Sequence, residues 1–114
     1  MGTLNLGNGS LPIGVYTPLN NASSEGHLDV VKYICEKCKA NVETKNRFGS
    51  TPLNNASFEG HLDVVQYLCE KYHANIGTRD KEGFTPIASA SMNGHQDVVK
   101  YLQKNYHCNL EIEY

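Results

Sequence analysis

Apolar residues recur along the chain in short bursts. Val30-Val31-x-Tyr33-Ile34, Val64-Val65-x-Tyr67-Leu68 and Val98-Val99-x-Tyr101-Leu102 are separated by stretches rich in Asn, Ser, Gly and charge. Around the first burst, Val30, Val31, Ile34, Cys35 and Cys38 follow at helical spacings, while Asp29, Lys32, Glu36 and Lys39 form an opposing polar stripe. The pattern predicts an amphipathic helix over about Leu28–Cys38, with Asp29 at the positive end of its dipole. A shorter helix, about Pro18–Glu25, is expected ahead of it. Thr17 can cap its first turn with a hydroxyl, Pro18 surrenders only an N–H that would go unpaired anyway, and Gly26 can close it in a left-handed conformation.

The bursts belong to a longer repetition. Thr17, Thr51 and Thr85 open three copies, 34 residues apart (51 − 17 and 85 − 51). About two-thirds of positions are identical between the first two copies, and such a period marks a stack of small units, each unable to bury its apolar face alone. The expected organisation is a non-repeating lead-in (1–16), repeat 1 (17–50), repeat 2 (51–84) and a shortened repeat 3 (85–114). In the lead-in, Gly7-Asn8-Gly9-Ser10 has the composition of a turn.

The copies open Thr17-Pro18-Leu19-Asn20, Thr51-Pro52-Leu53-Asn54 and Thr85-Pro86-Ile87-Ala88, and each continues to Gly26-His27, Gly60-His61 or Gly94-His95 before its Val-Val burst. In these features the chain resembles the ankyrin repeat family, over about residues 12–114. The resemblance implies an all-α repeat solenoid of helix-turn-helix units with short β-hairpin fingers at Thr44–Ser50 and Thr78–Phe84. It also implies that the Gly-His histidines organise the turn between helices, and that the first helices and fingers line a concave recognition face. Two departures stand out. Asn20, Asn54 and Ala88 replace the family's opening histidine. Cys38-Lys39, Tyr72-His73 and Tyr106-His107 carry no glycine where the second helix normally ends, so that helix either runs longer or ends without a glycine cap.

Charge and cysteine content narrow the function. A formal charge of −2, from 10 basic and 12 acidic residues, argues against a nucleic-acid-binding or membrane surface. No apolar run approaches the roughly 18 residues of a membrane span, and the N-terminus lacks the pattern of a signal peptide. A cytoplasmic protein is expected, with a nuclear location as the other option. Cys35 and Cys69 are equivalent positions in successive units, whose helices should lie roughly 8–10 Å apart, too far for a disulfide. Cys35-x-x-Cys38 lacks the second pair of a zinc ribbon. His27, His61 and His95 should be about one repeat apart, too far for one metal to join with bonds of about 2 Å. Neither cofactor nor metal is expected. Most Ser, His and Asp recur as structural residues, so an enzyme is not expected either.

Where the copies disagree, the scaffold does not dictate the residue. Arg47/Lys81, Phe48/Glu82 and Ser50/Phe84 differ in the fingers, and Ser24/Phe58/Met92 differ on the first helices. The candidate partner-binding residues are therefore Tyr16, Phe48, Phe58, Phe84 and Met92 as apolar anchors, with Ser50 beside them and Glu25, Glu59, Arg47 and Lys81 as rim charges. The function expected is recognition of a partner protein; the alternative is a structural spacer or self-assembling segment of a longer array. Apolar second helices in repeats 1 and 3 lead us to expect end-to-end self-association.

Overall fold

The computed structural model describes residues 17–108. It contains α1 (Pro18–Glu25), α2 (Leu28–Glu36), α3 (Pro52–Glu59), α4 (Leu62–Tyr72), α5 (Pro86–Met92) and α6 (Gln96–Tyr106), with no strand among the described residues. The odd-numbered helices pack side by side as an inner row. The even-numbered helices form an outer row with looser mutual contact. The result is an all-α repeat solenoid.

Local chemistry sets the helix ends. Thr51 accepts from the Asn54 amide through Oγ1 at 3.2 Å, and its own amide donates to Asn54 Oδ1 at 2.9 Å, forming a reciprocal cap. Thr85 caps α5 through the Ala88 amide at 3.3 Å. Thr17 makes no such bond: its backbone is turned to φ −134°, ψ 99°, against −85° and 169° at Thr51. Gly26 and Gly60 close α1 and α3 with φ of 76° and 78°. In α5 the Glu59 counterpart is Asn93, which ends the helix early while its Nδ2 donates to Ser89 O at 2.9 Å.

The outer helices end without glycine, in left-handed residues all the same. α4 and α6 run to Tyr72 and Tyr106 and close on His73 (φ 53°) and His107 (φ 56°); α2 stops at Glu36, short of the expected Cys38, and Lys39 takes φ 56°. After each, the next amide reaches back six residues: Ala40 to Ile34 O, Ala74 to Leu68 O and Cys108 to Leu102 O. This double closure satisfies carbonyls that would otherwise be orphaned, at a cost in backbone strain for a residue with a Cβ. His73 is exposed, so His73→Gly should relieve that strain and raise stability by about 1 kcal/mol in chemical denaturation. A loss of stability would mean that the imidazole makes a contact of its own.

The core is built in layers. Leu19, Leu53 and Ile87 recur in it, as do Ala22, Ala56 and Ala90, whose small side chains let the inner helices approach closely. Val31, Val65 and Val99 fill the space between the rows. Buried Asn20 and Asn54 tie inner helices to loops: Asn20 Nδ2 donates to Ser50 O at 2.8 Å and Asn54 Nδ2 to Thr78 O at 3.0 Å. Tyr67 and Tyr101 bridge the outer row by donating to Glu36 Oε2 at 2.5 Å and Glu70 Oε2 at 2.6 Å.

Three expectations change. The fingers are tight turns: Asn46 N donates to Ser50 O and Asp80 N to Phe84 O, and among the described residues a single backbone bond, Lys81 N to Phe48 O, links one finger to the next. Such pairing is too short to extend into a strand ladder. In repeat 3, Val98, Val99 and Leu102 are buried, and exposed positions of α6 carry Gln96, Gln103 and Lys104, so its apolar residues are already covered. In repeat 1, Cys38 is exposed and Val30 is 43% exposed, whereas Val64 and Val98 are 0%. Among the described residues, no helix is long and apolar enough to cross a membrane.

Candidate recognition groove

Stacking turns the Gly-His pair into a joint between repeats. The His61 ring lies over Gly26, where a Cβ would stand 2.5 Å from Nδ1, and its Nε2 is 3.0 Å from Ser24 O. His95 covers Gly60 in the same way, with a Cβ there 2.6 Å from Cγ. The histidines are thus engaged in repeat-to-repeat contact. His27 instead pairs with exposed Glu25 at 3.3 Å, and both side chains are well solvated, so the pair contributes little.

With the units fixed this way, α3, the two fingers and α5 frame a groove of about 520 Å³. Phe48 from the first finger and Phe58 from α3 supply its aromatic surface, 60% and 50% exposed. Glu59, Lys81, Glu82 and Asp80 supply charge, half-buried Asn55 supplies polar surface, and buried Ser50, Asn54 and Ser89 form part of the wall. The loop geometry is held by the fingers' own side chains. Asn46 Oδ1 accepts from the amides of Phe48 and Ser50, and Asp80 Oδ1 accepts from those of Glu82 and Phe84.

Of the ten residues singled out from the sequence, Phe48, Ser50, Phe58, Glu59 and Lys81 line this groove. Ser50 is only 8% exposed: its amide and carbonyl are both taken, by Asn46 and by Asn46 and Asn20 respectively, so it contributes wall rather than a free contact. Glu25, Arg47, Phe84 and Met92 are not among the lining residues. Arg47 stacks on Phe48 with its guanidinium carbon 5.2 Å from the ring centroid. Met92 is 62% exposed at the end of α5, and Phe84 is half-buried. Tyr16 lies outside the described residues. Asn54, Asn55, Asp80, Glu82 and Ser89 line the groove without having been singled out. Glu82 carried a signal, as the divergent counterpart of Phe48; Asn55 carried none, because its match to Asn21 reads as scaffold.

The thiols are suited to packing. Burial, with a smaller contribution from Glu36, pushes the Cys35 thiol up to about 11, and burial followed by Cys108 pushes Cys69 to about 12. Burial also raises Cys108. At neutral pH these groups stay protonated and are poor nucleophiles. Iodoacetamide should therefore alkylate exposed Cys38 well before Cys35 and Cys69, as read by mass spectrometry of the native chain. Equal rates would contradict the packing described.

The family model for ankyrin repeats, in three copies, matches residues 19–113. The chain belongs to the ankyrin repeat family, whose members generally mediate protein–protein interaction and are generally non-catalytic. It is similar, at TM-score 0.75 and 36% identity over 82% of its length, to a chain in the crystal structure of the yeast ribosomal protein Rps3 in complex with its chaperone Yar1, of which it spans 68%. A second similar structure is a predatory endopeptidase from Bdellovibrio bacteriovorus in complex with an immunity protein, at TM-score 0.73 and 34% identity over 79% of this chain and 46% of that one. A 34-residue stretch is 50% identical to the mitochondrial liver isoform of glutaminase from Rattus norvegicus, covering 30% of this chain and 6% of that protein.

Proposed function

We propose that this chain is a non-catalytic recognition module of the cytoplasm that holds a partner protein in the concave groove between its inner helices and fingers. The observation that carries this reading is the exposure of Phe48 and Phe58 on one groove, at positions where the copies diverge. Ser24, Phe58 and Met92 occupy one repeat position, and no single buried environment suits a small hydroxyl, an aromatic ring and a flexible thioether. The similar structures support the same class of function, since each belongs to a complex between proteins. In this reading Phe48, Phe58 and Met92 are anchors, and Glu25, Glu59, Arg47 and Lys81 tune selectivity and encounter rate. A preformed groove loses little entropy on binding.

A second reading is self-association or array building through repeat 1. It is favoured by exposed Val30 and by an apolar hollow of about 350 Å³ lined by Leu19, Ile34, Cys38 and Ala40 among others. Photo-crosslinking separates the two readings. A benzophenone amino acid is placed at position 48, 92, 30 or 71, the last on the outer helix α4. Adducts to a different protein from positions 48 and 92, with none from 71, are the expected result. Adducts between copies of the chain from position 30 alone would favour the second reading and overturn the first.

A further inference from the structure

Resting on the reading of the groove as the partner site, we propose that it receives a basic side chain of the partner, an arginine in preference to a lysine. Three carboxylates, Glu59, Asp80 and Glu82, line the groove against one ammonium, Lys81. Asp80 is partly spent, because its Oδ1 accepts from two finger amides. Glu59 and Glu82 are exposed, and among the described residues neither forms an ion pair. Lys81 does not neutralise them within salt-bridge distance, and the Cγ of its stem lies where a Cβ on Gly49 would be 3.0 Å away. The lining thus carries more negative than positive charge, and its two exposed carboxylates have no cation paired with them.

Two further observations select guanidinium. The first is the pair of exposed rings, Phe48 and Phe58, whose faces attract a cation and accept a planar one by stacking. Phe48 already carries Arg47 at 5.2 Å, so its face accommodates this group in the protein itself. Arg79, another finger cation, spends its Nη1 on Gly83 O at 2.8 Å. The second is the spread of acceptors. Guanidinium presents five donors in a fixed plane and can address a carboxylate while it stacks, whereas ammonium is a point charge that keeps its water more tightly.

The probes are N-acetyl-arginine amide, its neutral isostere N-acetyl-citrulline amide, N-acetyl-lysine amide and N-acetyl-phenylalanine amide. Each is titrated into the full chain while the ring resonances of Phe48 and Phe58 are followed by NMR. The arginine probe should shift both rings saturably, about fivefold or more tighter than citrulline and detectably tighter than lysine. The Glu59→Gln, Glu82→Gln double variant should weaken the arginine probe about fivefold, and Lys81→Gln should strengthen it. Citrulline matching arginine, or the double Gln variant binding arginine like the parent, would overturn the proposal. If the phenylalanine probe moves both rings while arginine moves neither, the cation is refuted and the groove survives as a binding surface. If no probe moves either ring, the arginine proposal falls, and the groove reading is decided by the adducts from positions 48 and 92.

Discussion

Gly60→Ala is expected to destabilise the chain by about 3 kcal/mol, combining left-handed strain with overpacking against a neighbouring side chain. Gly60 sits at φ 78°, and a Cβ there would stand 2.6 Å from Cγ of His95, the histidine of the next repeat. The ring lies against Gly60 at the junction of two units, so relief requires it to rotate away or repeat 3 to shift. Gly94→Ala supplies the control. Its φ is 77°, yet nothing lies within 4 Å of a Cβ at that position. It should therefore lose only the backbone part, about 1 kcal/mol. Urea denaturation of both variants measures the difference, which isolates the seating of histidine on glycine between successive units. Equal losses would mean that the joint contributes nothing beyond backbone conformation.

The second large effect is Leu68→Ala. Leu68 is fully buried in α4, and its truncation should cost about 3 kcal/mol through lost transfer energy and an unfilled cavity. Phe58→Ala removes a larger side chain but one that is half exposed in the groove, and its stability should change by only about 0.5 kcal/mol. This contrast separates scaffold from surface with two substitutions in the same repeat. If Phe58→Ala destabilised the chain as strongly as Leu68→Ala, the ring would belong to the core, and the groove would lose one of its two aromatic residues.

Much of the fold was legible because repetition reports the same packing solution several times. Thr17-Pro18 and Gly26 place the start and end of α1 where the structure has them, and Val31, Val65 and Val99 mark the buried stripe. The rest depends on contacts between units, which a single copy does not announce. Glu36 reads as a solvent-facing polar position and Tyr67 as part of an apolar burst, yet the two bond across the outer row. Asn20 and Asn54 read as departures from the family's opening, yet their amides hold the following loops. Lys39, His73 and His107 take the left-handed cap without any residue type that signals it. Divergence between copies pointed toward the groove, and Phe48 and Phe58 lie there. It could not distinguish Ser50, a buried wall, from Glu82, an exposed carboxylate, because divergence measures freedom from the scaffold and says nothing about depth.

The central claim is that the groove, and not the outer helices, carries recognition. Its most direct test is the dissociation constant of the crosslinked partner, once purified, for the parent chain, Phe58→Ala and Lys71→Ala, with folding checked by thermal denaturation. Phe58→Ala should weaken binding by about 1 kcal/mol or more, roughly fivefold upward, and Lys71→Ala on the outer helix α4 should leave it unchanged. Unaltered affinity in Phe58→Ala, together with a loss in Lys71→Ala, would contradict that claim.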